Sequence, residues 1–166
     1  MISNLAHIHP NAQIGANVTI DPFSVIHDDV VIGDGSHVMS NVTIFSSSRI
    51  GKNCNIFPGA VIGAVPQDLK YRGEYTLAEI GDNTTINSDN YGYHVNMFSP
   101  CKLMADKEDA VIHIGSNTRI HGSAIHAYKS ISIGDNCLIA ANCQIIDCNG
   151  HDLYFDNVDN RINTQG

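Results

Sequence analysis

Residues 8–32 read IHPNAQIGANVTIDPFSVIHDDVVI, and Ile8, Ile14, Ile20, Ile26 and Ile32 stand six apart. The same beat runs from Ile2 through Val38, Ile44, Ile50 and Ile56 to Ile62, and every member is a β-branched aliphatic. An amphipathic helix repeats at 3.6 residues and a simple strand at two, so neither makes this pattern alone. A fixed six-residue period is the mark of a β-solenoid.

The other hexapeptide positions agree. Four residues after each aliphatic stands a small one: Ala6, Ala12, Val18, Ser24, Val30, Ser36, Val42, Ser48, Cys54 and Ala60. Three residues after it, Asn, Asp or Gly is favoured: Asn11, Asn17, Asp29, Gly35, Asn41, Asn53 and Gly59. These residues enter positive φ at least cost. Each hexapeptide therefore reads as a short strand with one large inward side chain, followed by a corner. Gly15, Gly33 and Gly51 recur at eighteen residues, which is three hexapeptides, so one coil has three flat sides. Coils stack as parallel ladders at about 4.8 Å. The 166 residues suggest one domain of about nine coils, a rod roughly 40 Å long.

The net charge of −8 argues against a nucleic-acid partner, which needs a basic footprint. No apolar run approaches the ~20 residues of a membrane span, and no signal peptide is evident. Among the five cysteines, Cys54, Cys137 and Cys143 occupy the small-residue position and read as buried small hydrophobes. No CxxC occurs, and a reducing, cytoplasmic setting is expected.

The beat breaks at residues 64–79, AVPQDLKYRGEYTLAE. It returns at Ile80 and Ile86, fades through residues 87–110, and resumes at Ile114, Ile120, Ile133, Ile139 and Ile145. Excursions are expected at 64–79 and around 87–110, with a second loop at residues 104–109. A long loop in a regular solenoid is often functional. Counting in sixes across 87–110 makes that stretch a coil of the same ladder, with Val95 or Phe98 turned inward. The nineteen residues from Ile114 to Ile133 imply one inserted residue near 124–130. The polar tail after Ile146 has no further hexapeptide, so the last coil edge needs a cap from the tail, a partner or further chain.

The repeats with an inserted loop resemble the hexapeptide-repeat acyltransferases. That resemblance implies a left-handed parallel β-helix, a homotrimer and active sites between subunits. Residues 1–87, through IHPNAQIGANVTIDPFSVI, VIGAVPQDLKYRGE and IGDNTTIN, resemble the UDP-N-acetylglucosamine acyltransferases of lipid A synthesis. There the QDLK segment contacts the nucleotide-sugar acceptor, which implies Gln67, Asp68 and Lys70 here. That family's catalytic His-Ile-Ala-His-Asp segment has no counterpart; His121-Gly-Ser-Ala-Ile-His126 differs in spacing and flanks.

Residues 99–166, through SPCKLMADKEDAVIHIG, SISIGDNCLIAANCQI and IDCNGHD, resemble the sugar and polysaccharide O-acetyltransferases. This resemblance makes His151 the general base, an imidazole suited to taking a hydroxyl proton near neutral pH. Asp147 and Asn149 are near enough in sequence to orient base or acceptor. The two resemblances suggest a junction near residues 87–100, as in a chimera. The donor implied is a thioester, acyl-CoA or acyl carrier protein, with no bound cofactor. The acceptor implied is a hydroxyl of a sugar or nucleotide sugar. A non-catalytic, hybrid or truncated β-helix is the alternative. His121 and His126 are similar to the histidine pair of β-helical zinc enzymes, but no third histidine falls at a convincing coil offset, so no metal is expected.

Overall fold

The computed structural model describes residues 1–66, 71–90 and 93–148. They form a left-handed parallel β-helix with three sheets and no helix among the described residues. The first sheet holds β1 (His7–Ile8), β4 (Val25–Ile26), β7 (Thr43–Ile44), β10 (Val61–Ile62), β13 (Lys102–Ala105), β16 (Ala124–Ala127) and β19 (Gln144–Ile146). The second holds β2 (Gln13–Ile14), β5 (Val31–Ile32), β8 (Ser48–Ile50), β11 (Leu77–Ile80), β14 (Val111–Ile114) and β17 (Ser130–Ile133). The third holds β3 (Thr19–Ile20), β6 (His37–Val38), β9 (Asn55–Ile56), β12 (Thr85–Asn87), β15 (Arg119–His121) and β18 (Leu138–Ile139).

The six-residue beat sets the register. Ile8 pairs with Ile26, Ile26 with Ile44, and Ile44 with Ile62. Each inward aliphatic thus stacks on the one a full coil away, and Ile26, Ile44, Ile56 and Ile62 are fully buried. Ile2, Ile8 and Ile14 are more exposed, because they belong to the first coil and have a neighbour on one side only.

The corners also follow the sequence. Asn17, Asp29, Asn41, Asn53, Asn83, Asn117, Asn136 and Asn142 have φ between 50° and 64°. Phe23 and Ser47 take the same left-handed conformation, at 66° and 60°, without the residue type that favours it. The small residues form an inner hydrogen-bond line. Ser36 Oγ donates to Gly51 O and accepts from Cys54 N; Thr84 Oγ1 donates to Gly115 O and accepts from Thr118 N. Cys54 takes its place in this line, and burial pushes its thiol above the usual value.

The eighteen-residue glycines have a steric cause. A Cβ on Gly33 would lie 2.6 Å from the Gly51 carbonyl carbon, and one on Gly51 would lie 2.7 Å from Asp82 N. The space is filled by the next coil's backbone, whose Asp82 Oδ1 also accepts from Lys52 N at 2.7 Å. Asp34 and Asp135 repeat this bond to Ala16 N and Ser116 N. Gly51→Ala is therefore expected to cost more than the ~1 kcal/mol typical of a point substitution, because backbone on two coils must part. A midpoint shift in urea at unchanged m-value would measure it.

Among the described residues the first sheet has seven strands, and part of the chain is spent on excursions. Ile80 follows Ile62 by eighteen residues instead of six, Leu103 follows Ile86 by seventeen, and Ile114 follows Leu103 by eleven. The count in sixes across 87–110 therefore fails, although the ladder does continue: β13 pairs with β10 on one side and β16 on the other. Its fillers are not Val95 and Phe98, which are 45% and 89% exposed, but Met97, Cys101 and Leu103. Residues 102–105 are strand rather than loop, so the excursions lie at 88–101 and 106–110. The expected single insertion near 124–130 proves to be two changes. Ile125 follows Ile120 by five residues, with Gly122 at φ 43° in the tightened corner, and Ile133 follows Ile125 by eight.

Candidate active site

Three departures from the six-residue beat fall on one edge. Residues 63–76 leave the first sheet after β10, residues 106–110 after β13, and residues 128–129 after β16. The segment after β19 starts from the same edge. Since these four strands are neighbours in one sheet, the excursions are stacked at successive coils. The excursion at 88–101 lies on a different edge, between the third and first sheets.

Along this edge the residue after each inward aliphatic points outward in a column: His27, Phe45, Gly63, Met104, His126 and Ile146. His27 stacks on Phe45 at 4.6 Å. The described parts of the first excursion, 63–66 and 71–76, lie beside this column and line a cleft of about 360 Å³ with Phe45, Gly63, Ala64, Tyr71 and Tyr75. A second, of about 350 Å³, lies between Phe45, Val61, Val65, Lys102 and Met104. Both share Phe45, Ala64 and Val65. Arg72 N donates to Glu74 Oε2 at 2.7 Å, and this bond holds the Glu74 carboxyl below its usual range. Asp109 N donates to Tyr75 O at 2.9 Å, tying the second excursion to the first.

At the next two coils Asp106 and His126 meet. His126 Nε2 lies 3.1 Å from Asp106 Oδ2, and the Asp106 side chain is only 5% exposed against 23% for the histidine. Backbone fixes the pair, since Asp106 N donates to Ala127 O. Lys107 Nζ sits 3.7 Å from Asp106 Oδ1 and 5.0 Å above the Tyr128 ring, whose centroid is 4.9 Å from that of His126. Partial burial, then the Asp106 charge, pushes the Tyr128 phenol up.

Of the site residues expected from sequence, Gln67, Asp68, Lys70, Asn149 and His151 lie outside the described residues. Their neighbours Pro66, Tyr71 and Cys148 are described, and both segments depart from the same sheet edge, from β10 and β19. Asp147 is described, and its carboxylate is engaged by the protein itself. Oδ1 accepts from Tyr128 N at 2.7 Å, and Oδ2 from Lys129 N and Ser130 N at 2.8 Å each. Partial burial opposes its ionisation, but the backbone N–H groups prevail and hold the carboxyl below the usual carboxylate range. A depressed folded pKa adds stability above the unfolded value, and that stability is lost as pH falls through the folded one. Asp147→Ala should cost about 1–2 kcal/mol at pH 7 and less in acid, as pH falls through the carboxylate's lowered pKa; thermal melts across pH would test both.

Asp106, Lys107 and Tyr128 have no weight in the sequence reading, and His126 enters it only beside His121. The two histidines are apart in the fold. His121, on β15 in the third sheet, is buried, stacks on Tyr93 at 4.4 Å and has Nδ1 3.2 Å from Asn87 Nδ2. Burial, then Arg119 and His94, holds its pKa down. The signal that could have found Asp106 and His126 was the spacing between inward aliphatics. Of its four lengthened steps, three, after Ile62, Leu103 and Ile125, start from the same side of the coil, and the fourth, after Ile86, starts from another.

A three-sided β-helix of hexapeptides with excursions stacked on one edge defines a class. Residues 11–46 match the bacterial transferase hexapeptide family of six repeats, and residues 111–146 match the hexapeptide repeat of succinyl-transferase. The chain belongs to the hexapeptide-repeat acyltransferase superfamily. Within it, the chain is 33% identical over 152 residues to the acyl-[acyl-carrier-protein]–UDP-N-acetylglucosamine O-acyltransferase of Bartonella henselae, covering 90% of this chain and 45% of that protein. It is 46% identical over 85 residues to the enzyme of the same name from Thermodesulfovibrio yellowstonii, covering 51% of this chain and 33% of that protein. The chain thus spans less than half the length of these relatives. The UDP-N-acetylglucosamine acyltransferase structure from Bacteroides fragilis superposes with a TM-score of 0.57 at 36% identity, over 88% of this chain and 58% of that one. A perosamine N-acetyltransferase from Caulobacter crescentus, at 15% identity and TM-score 0.56, shares the fold. The 152-residue match runs through both halves and across residues 87–100.

Proposed function

We propose that the protein transfers an acyl group from a thioester, carried by coenzyme A or acyl carrier protein, to a hydroxyl of a sugar or nucleotide sugar. The observation that carries this reading is the common edge: the excursion holding Gln67, Asp68 and Lys70 and the segment holding His151 start from one face of one sheet. An acceptor lying along that edge spans from one to the other over the Phe45–Met104–His126 column. Asp68 accepts hydrogen bonds from sugar hydroxyls, Gln67 gives and takes them, and Lys70 meets a phosphate as a point charge. The relatives' printed names specify UDP-N-acetylglucosamine as acceptor and acyl carrier protein as donor, and this chain is proposed to take the same classes.

In the reaction His151 takes the acceptor hydroxyl's proton while the oxygen attacks the thioester carbonyl carbon. The C–S bond then breaks, and the imidazolium returns the proton to the departing thiolate, leaving an ester and a free thiol. No bound cofactor is needed for this balance. A homotrimer would place a neighbouring subunit against the edge; sedimentation should then give three times the 18.0 kDa chain mass, and a monomer at micromolar concentration would refute it. Thiol release from acetyl-CoA and acylated acyl carrier protein, with UDP-N-acetylglucosamine and a panel of sugars, tests the activity. Release dependent on an acceptor is expected. No release with any pair would leave a scaffold without a complete site.

A further inference from the structure

We propose that the Asp106–His126 pair is a hydroxyl-binding subsite of the acceptor, an inference that rests on the acyl-transfer reading and adds a residue to it. The pair lies at β13 and β16, the two coils between the departure points of the 63–76 excursion and the segment after β19. A ligand reaching from one segment to the other passes over it.

The chemistry of the pair selects what it binds. With Asp106 Oδ2 at 3.1 Å from Nε2, the imidazole proton sits on Nε2 and donates to the carboxylate. Nδ1 is then an acceptor with a lone pair. The second carboxylate oxygen, Asp106 Oδ1, is buried and has no hydrogen-bond partner among the described residues; Lys107 Nζ, at 3.7 Å, balances its charge. That oxygen has almost no accessible surface, and Lys107 and Tyr128 pack against Asp106, so the atom left to a ligand is Nδ1 of the partly exposed His126. It accepts, and suits a hydroxyl such as one on a sugar ring. The sugar end of the acceptor therefore belongs over His126. His126 touches the acceptor, and Asp106 is a positioning residue that holds the ring's tautomer.

The test compares His126→Phe, His126→Gln and Asp106→Asn with wild type, using UDP-N-acetylglucosamine as the probe. Calorimetry should show binding weakened at least tenfold in His126→Phe and partly restored in His126→Gln, whose side-chain carbonyl can accept. In turnover the acceptor KM should rise with little change in kcat or donor KM. An acceptor lacking the contacted hydroxyl should bind wild type and His126→Phe equally. Nitrogen-15 imidazole spectra should show the Nε2–H tautomer in wild type and a mixture in Asp106→Asn, whether or not the protein turns over. Equal binding by wild type and His126→Phe would overturn the proposal. So would loss of kcat at unchanged KM, equal losses for donor and acceptor, or no wild-type binding. Binding that follows these expectations without thiol release would uphold the subsite and defeat only the reaction.

Discussion

Ile44→Asp is expected to leave no folded protein. Ile44 is fully buried and stacks between Ile26 and Ile62, which are fully buried themselves. Among the described residues the inward space around Ile44 holds aliphatic side chains, and no Lys or Arg is buried, so the carboxylate must either stay charged without a partner or take up a proton. Either route costs several kcal/mol, against a total stability of about 5–15 kcal/mol for a typical domain. The stack makes the loss worse, because a gap between Ile26 and Ile62 interrupts the column on which each coil rests. Ile44→Val, which removes one methylene, should cost only about 1 kcal/mol. Circular dichroism and thermal melting of the two variants measure the difference. A cooperative melt of the aspartate variant near the wild-type temperature would disprove the stacked core.

His151→Ala is expected to lower acceptor-dependent thiol release by about 10²–10⁴-fold, the usual contribution of a positioned general base. The melting temperature should hardly change, since the loss expected is of a base rather than of packing. KM for the acceptor should move little, in contrast to the His126 variants, because a base acts in the transition state. The wild-type rate should also rise with pH as the imidazole loses its proton, and that limb should vanish in the variant. Unchanged turnover in His151→Ala would remove this residue from the mechanism and leave another group on the edge to take the proton.

The inner face of the fold was legible because one physical requirement repeats. Each coil needs a β-branched aliphatic at the same phase, and Ile2 through Ile62 supply it without interruption. Corner conformation was nearly as clear, since Asn and Asp mark most left-handed positions. Phe23 and Ser47 show the limit: neighbouring coils impose the backbone there regardless of residue type. The faint stretch was misread for a related reason. Phe98 falls on the count of six from Ile86, but chain on an excursion does not keep the beat, and Leu103 resumes it seventeen residues on. The Asp106–His126 contact joins residues twenty apart through coil stacking. The spacing of the inward aliphatics marks the edge on which the pair lies, but does not say that these two side chains meet. Asp147 looked like a polar site residue by position, whereas its carboxylate ties down the turn of the preceding coil.

Stacking the excursions on one edge separates two design problems. Inward side chains and the glycine–aspartate line must match from coil to coil, so change there is felt along the rod. An excursion leaves and re-enters at the same phase, as the pairing of Ile80 with both Ile50 and Ile114 shows. Its length can therefore vary freely while the strands keep their partners. The edge behaves like a row of sockets on a fixed rail. Segments of twelve, five or two extra residues can be exchanged there to suit a different acceptor, and the rail need not be rebuilt.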